Sequence, residues 1–151
     1  MVAAARSGLE RKRHALELLE SEQDVWVASA DAQGGVCQIP LSFVWDGSAL
    51  VLSTPLESPT GRNLAGNGRV RIGLGGTRDV VVIEGTAVAY PAEEVPPGFA
   101  DAFAAKLVWD PRKEARGGYG FYVVTPVRVQ AWREENELKG RTLMREGAWL
   151  Y

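Results

Sequence analysis

The chain has 151 residues and a mass of 16.4 kDa, one domain's worth by length and long enough to bury a real core. Hydrophobic residues make up 46%, and 17 basic against 19 acidic residues leave a net charge of −2, so no charge excess advertises nucleic acid or anionic lipid. One cysteine (Cys37) and one histidine (His14) exclude disulfide frameworks, zinc fingers and multi-histidine metal centres.

Met1 to Ala5 is apolar for five residues before Arg6 and the run Glu10-Arg11-Lys12-Arg13. A secretory leader needs the opposite order, basic first and apolar after. No stretch approaches the roughly 18 apolar residues of a membrane span. A cytoplasmic protein with no membrane partner is expected.

Ser7-Gly8-Leu9-Glu10 has the spacing of a capping box, and Leu9, Leu16 and Leu19 recur near helical spacing behind it. A helix over about 8–20 is predicted, with His14 and its basic neighbours on a solvated face. From Asp24 the texture becomes that of strands. Val25 to Ala30, Val36 to Trp45 and Ala49 to Ser53 read as three, joined by Asp31-Ala32-Gln33-Gly34-Gly35 and by Asp46-Gly47. Thr60 to Gly66 has room for about two helical turns. Arg69 to Leu74 alternates charged and apolar residues, and Gly75-Gly76-Thr77-Arg78-Asp79 turns it into Val80 to Tyr90.

Pro96-Pro97 opens an inserted helix near 97–108, carrying Phe99, Phe103 and Leu107 at four-residue steps. Tyr119 to Trp132 is a long strand in which Pro126 predicts a bend or an edge. Thr142 to Met144 and Trp149 to Tyr151 form a closing hairpin around Glu146-Gly147. Six or seven strands with short turns and three short helices favour a mainly β, antiparallel barrel. A single domain over 1–151 is expected, with residues 1–22 as an N-terminal helix and 24–151 as the barrel.

Nucleophilic catalysis would have to recruit His14 from a surface helix, and the pattern does not support it. Cys37, inside a strand, reads as a buried structural thiol. Gly73-x-Gly75-Gly76 lacks the third glycine and the helix of a dinucleotide fingerprint, so a hairpin turn accounts for it. Arg69, Arg71 and Arg78 fit either a phosphate patch or a charged edge strand. No carboxylate pair is placed for acid–base work. One segment stands out: Ser53-Thr54-Pro55-Leu56-Glu57-Ser58-Pro59-Thr60-Gly61-Arg62-Asn63-Leu64 runs from a strand end into a short helix. Its free N–H groups and nearby Arg62 have the makings of an anion site.

The order of Asp46-Gly47, Ser53-Thr54, this segment, Arg69-Val70, then Arg78 to Gly85, Gly120 to Trp132 and Leu138-Lys139-Gly140-Arg141 resembles the pyridoxamine-phosphate-oxidase-like superfamily. The resemblance covers roughly 25–151. It implies a split β-barrel of the FMN-binding type, with FMN or a deazaflavin held between two protomers of a homodimer.

Carried over, Gln38 to Phe43 is the strand beside the flavin ring, with backbone contacts from Pro40, Leu41 and Ser42. Ser53 and Thr54 stand at backbone and hydroxyl contacts, Pro59-Thr60 where the family usually has Arg-Lys on the phosphate. Asp79 replaces a flavin-binding Gln, while Trp132 and Arg141 match a Trp and an Arg that reach the cofactor. Arg62 and Asn63 fit the Arg-Asn-Leu form of the deazaflavin-linked branches.

Gln38, Phe43, Pro59 and Thr60 stand where the oxidases carry cations, and Glu137-Leu138-Lys139 replaces their substrate-binding Arg-Leu-His. Those departures argue against pyridoxamine-phosphate oxidase activity itself. The resemblance implies a flavin- or deazaflavin-dependent oxidoreductase acting on a small organic substrate. The alternative is a non-catalytic holder of FMN, a deazaflavin or a tetrapyrrole; His14, outside the matched barrel, argues against ordinary axial haem ligation.

Overall fold

The N-terminal signature forms as expected in the computed structural model, which describes residues 2–151. Helix α1 (Gly8–Ser21) starts at Ser7, whose Oγ accepts the Glu10 N–H at 3.1 Å while Glu10 Oε1 takes the Ser7 N–H at 3.5 Å. Its buried face is Arg11, Ala15 and Leu19, spaced by four, so Leu9 is left exposed. Arg11 was expected in solvent. It is buried because its guanidinium reaches backbone carbonyls of Glu137 (2.8 Å) and Ala131 (3.3 Å) at the barrel end. His14 is half-buried, with Nδ1 3.0 Å from Arg6 Nη1.

The strands are β1 (Asp24–Ala30), β2 (Val36–Trp45), β3 (Leu50–Pro55), β4 (Arg69–Leu74), β5 (Val80–Pro91), β6 (Tyr119–Trp132), β7 (Thr142–Arg145) and β8 (Ala148–Trp149). All pairings are antiparallel. The order β3-β2-β1-β4-β5-β6 closes when β6 returns to β3, and the β7-β8 hairpin extends the sheet beyond β6. Six strands therefore make the barrel. Closure removes the free edges that would otherwise invite further strands.

Strand β6 serves two neighbours on one side. Residues 119–124 pair with β3, and Val129 and Gln130 pair with β7. Pro126 falls in the gap between them, where the ladder with β5 also shifts register between Glu84 and Gly85. The bend anticipated from proline is there. Gly85 is required beside it, since a Cβ would stand 2.8 Å from both the Thr125 carbonyl oxygen and Val124 Cγ1.

The barrel interior holds Val27, Phe43, Leu50, Leu52, Ile72, Ile83, Tyr122 and Val124, and α1 plugs one end with Ala15 and Leu19. Helix α2 (Pro59–Asn67) lies between β3 and β4. Helix α3 (Pro97–Leu107) covers a second apolar cluster of Val44, Val51, Phe103 and Phe121, in which the Phe103 and Phe121 rings meet edge to face. No helix among the described residues is long and apolar enough to cross a membrane.

Candidate functional site

Helix α2 is held tightly at its start. Ser58 is the N-cap: its Oγ accepts the Gly61 N–H at 3.0 Å and its carbonyl oxygen the Arg62 N–H at 2.9 Å. Pro59 has no N–H, so Thr60 carries the one backbone donor of the first turn not so engaged. Gly61 allows this packing, because a Cβ there would stand 2.4 Å from the Pro55 carbonyl oxygen and 2.6 Å from the Tyr122 hydroxyl. Beside the helix start opens a cleft of about 530 Å³ lined by Pro59, Arg62, Asn63, Asn67, Asp31 and Cys37 among others.

Several expected contact groups already have partners. Ser53 Oγ donates to the Gly120 carbonyl oxygen at 2.8 Å, and Thr54 Oγ1 lies 3.4 Å from Ser58 Oγ. Thr60 is buried, with Oγ1 3.4 Å from Cys37 Sγ, and Asn63 Nδ2 donates to Ser29 Oγ at 3.1 Å. Arg62 is exposed and in no ion pair among the described residues. It is the free cation of this cleft. Cys37 is half-buried on the cleft wall, not enclosed as its strand position suggested, because Val36, Cys37 and Gln38 lie near the tip of the β1–β2 hairpin.

The α2 cleft continues across the outer sheet face. A second cleft of about 560 Å³ shares Asp31, Val36 and Asn67 with it. A third, of about 380 Å³, shares Ala28 and Arg71 with the second and reaches Gln38 and the Gly75-Gly76-Thr77 turn. Together they form a band over β2, β1, β4 and β5. Trp26, 53% exposed and opposite Pro40 in the ladder, stands on it. Alternation along β1, with Val25 and Val27 inward, is the signal in the sequence that puts Trp26 outside.

The remaining expected residues lie elsewhere on the chain. Leu41 packs against the core and Ser42 Oγ donates to Asp24 Oδ1 at 2.6 Å. Trp132 ends β6 opposite Val80. Asp79 accepts from Arg133 Nε at 3.2 Å, and Arg6 Nη1 lies 4.0 Å from it. Arg78 pairs with Glu134, so it does not join Arg69 and Arg71, which line the second cleft. Arg141 donates to the Leu138 carbonyl oxygen at 2.8 Å and lines a separate cleft. None of these four clefts gathers all thirteen expected contact residues.

The strongest electrostatic feature is structural. Glu137 Oε1 accepts from Arg6 Nη2 at 2.7 Å and Oε2 from the Arg6 backbone N–H at 2.7 Å, with both side chains almost wholly buried. Hydrogen bonds from Arg6 hold the Glu137 carboxyl well below the usual carboxylate range, at about 2. Tyr122 is the converse case. Its hydroxyl is buried without a partner, and desolvation pushes it up to about 12.

Residues 12–133 match the family described as pyridoxamine 5'-phosphate oxidase. The chain belongs to that family. The match stops before Arg141, so the last part of the family resemblance rests on residues 134–151 outside it. Among solved structures the family fold recurs in an F420 reductase (19% identity over 75% of this chain and 93% of that one, TM-score 0.61). It recurs also in general stress protein 26 from Bacillus anthracis (15%, 82% and 95%, 0.63) and in HupZ of Group A Streptococcus (18%, 79% and 94%, 0.62). These likenesses are of fold. No curated protein matches the chain.

Proposed function

We propose that this family member is a flavin- or deazaflavin-dependent oxidoreductase for a small organic substrate, with its site completed in a homodimer across the outer sheet face. The observation that carries the reading is the continuous band of clefts from the α2 start to the β4–β5 turn, with Arg62 free at one end. Its dimensions suit a flat, elongated group. Arg62 would hold an anionic end, while Gln38, Pro40 and Trp26 would lie along the ring. A bound flavin or deazaflavin supplies hydride transfer; the chain's part is to bind, orient and exclude water. The fold likeness to an F420 reductase supports including a deazaflavin.

The engaged hydroxyls of Ser53 and Thr60 and the bonded Asn63 favour a second reading, a holder without turnover, because few charge-assisted contacts remain for phosphate. Titration of ligand-free protein with FMN, and separately with the deazaflavin coenzyme, tests the site through cofactor and tryptophan fluorescence. Micromolar binding of one supports it, and reduction of an electron acceptor by the loaded protein then separates enzyme from holder. If neither binds, the reading fails.

A further inference from the structure

Thirteen arginines serve a chain of net charge −2, and they are not used alike. Six are ion-paired: Arg6, Arg11, Arg71, Arg78, Arg112 and Arg133. Three of the other seven, Arg128, Arg141 and Arg145, line one cleft of about 370 Å³ between β6 and the 138–142 turn. No Asp or Glu side chain lines it. Val129 stands opposite Met144, and Arg128 and Arg145, the next residue outward on each strand, line the same cleft.

Like charges gathered in one cleft repel unless something neutralises them. The nearby carboxylates do not. Glu84, the cross-strand neighbour of Arg128 on β5, is held by Arg71 at 3.2 Å. Glu146 is exposed in the β7–β8 turn and off the cleft. The Tyr151 carbonyl oxygen is taken by Lys12 Nζ at 2.6 Å.

The remaining donors also point one way. Arg141 is steadied by the Leu138 carbonyl oxygen at 2.8 Å, through one of its guanidinium nitrogens. Thr142 Oγ1 accepts from Gln130 Nε2 at 3.3 Å, which leaves its O–H to donate into the cleft. Planar guanidinium forks match phosphate oxygens in pairs. A net negative surface elsewhere disfavours a long polyanion over a small one.

We propose that Arg128, Arg145 and Arg141, with the Thr142 hydroxyl, form a binding site for a small phosphate or diphosphate compound. The site shares no residue with the α2 cleft and does not rest on the flavin reading. Inorganic pyrophosphate is the probe, titrated calorimetrically into the full chain at constant ionic strength in chloride, with sulfate alongside. The expected result is saturable binding of pyrophosphate, tighter than sulfate. Arg128→Gln/Arg145→Gln should weaken it by about tenfold or more, as loss of charge-assisted hydrogen bonds does.

Pyrophosphate should also raise the melting temperature of the parent chain but not of that variant. Arg116→Gln, at an exposed arginine in neither cleft, should leave pyrophosphate binding unchanged. Absence of saturable binding overturns the proposal, as does undiminished binding in the double variant or equal loss in Arg116→Gln. Pyrophosphate binding with no flavin binding would retain this site and remove only the flavin reading.

Discussion

Arg6 and Glu137, 131 positions apart, meet in a two-pronged contact: Arg6 offers Nη2 at 2.7 Å and Nε at 3.0 Å to the two carboxylate oxygens. Glu137 also takes the Arg133 N–H at 2.8 Å, so one carboxylate binds the segment before α1 to the turn after β6. Isolated surface pairs contribute little to stability, but removing one partner of a buried pair leaves an uncompensated charge.

That carboxyl sits at about 2 against an ordinary value of 4.5. A lowered folded-state value means stability that is full above pH 4.5 and is lost as pH falls toward 2. Acid titration of the melting temperature should show this loss, of the order of 3 kcal/mol. Glu137→Gln should be less stable than the parent at neutral pH and should lack that acid-side slope. An identical slope in the variant would assign the loss to other groups.

Tyr122 predicts the opposite sign. Its buried hydroxyl has no partner, so deleting it removes a desolvation cost without breaking a bond. Tyr122→Phe should raise stability by about 1 kcal/mol in denaturant unfolding. A loss of stability would mean that the hydroxyl is satisfied in solution.

At the α2 start, Arg62→Ala should weaken binding of whichever flavin the chain takes by about tenfold, the usual cost of one charge-assisted contact. Unchanged affinity by fluorescence titration would remove Arg62 from the phosphate site.

Trp26 tests the outer face. A large, half-exposed aromatic near an interface centre commonly contributes about 2 kcal/mol. Trp26→Glu should shift a dimer toward monomer in sedimentation velocity while far-UV circular dichroism stays the same. A sedimentation profile matching the parent's would place the contact elsewhere.

The barrel was legible because each strand alternates and each hairpin carries its own turn chemistry. Val36–Trp45, Arg69–Leu74 and Tyr119–Trp132 run between the residues expected of them. Pro126 was informative for the same reason, since a missing N–H constrains the ladder locally. Arg11 was not legible. Its burial depends on carbonyls of Ala131 and Glu137, which only closure of the barrel brings beside α1. Cys37 misled because a strand pattern says which face a side chain takes, not whether that strand end is covered. The segment from Ser53 to Leu64 could be located, but not which of its hydroxyls would be spent internally.

The placement of Arg11 also bears on how the molecule opens. Its guanidinium joins α1 to the Glu137 and Lys139 carbonyls, while β7 meets the barrel only through the last part of β6. Helix α1 and the 137–139 segment that leads into β7, from opposite ends of the chain, are therefore tied to each other as well as to the ring. In native-state hydrogen exchange their amides should lose protection together, ahead of β3 and the first half of β6. Arg11→Met should accelerate both ends at once.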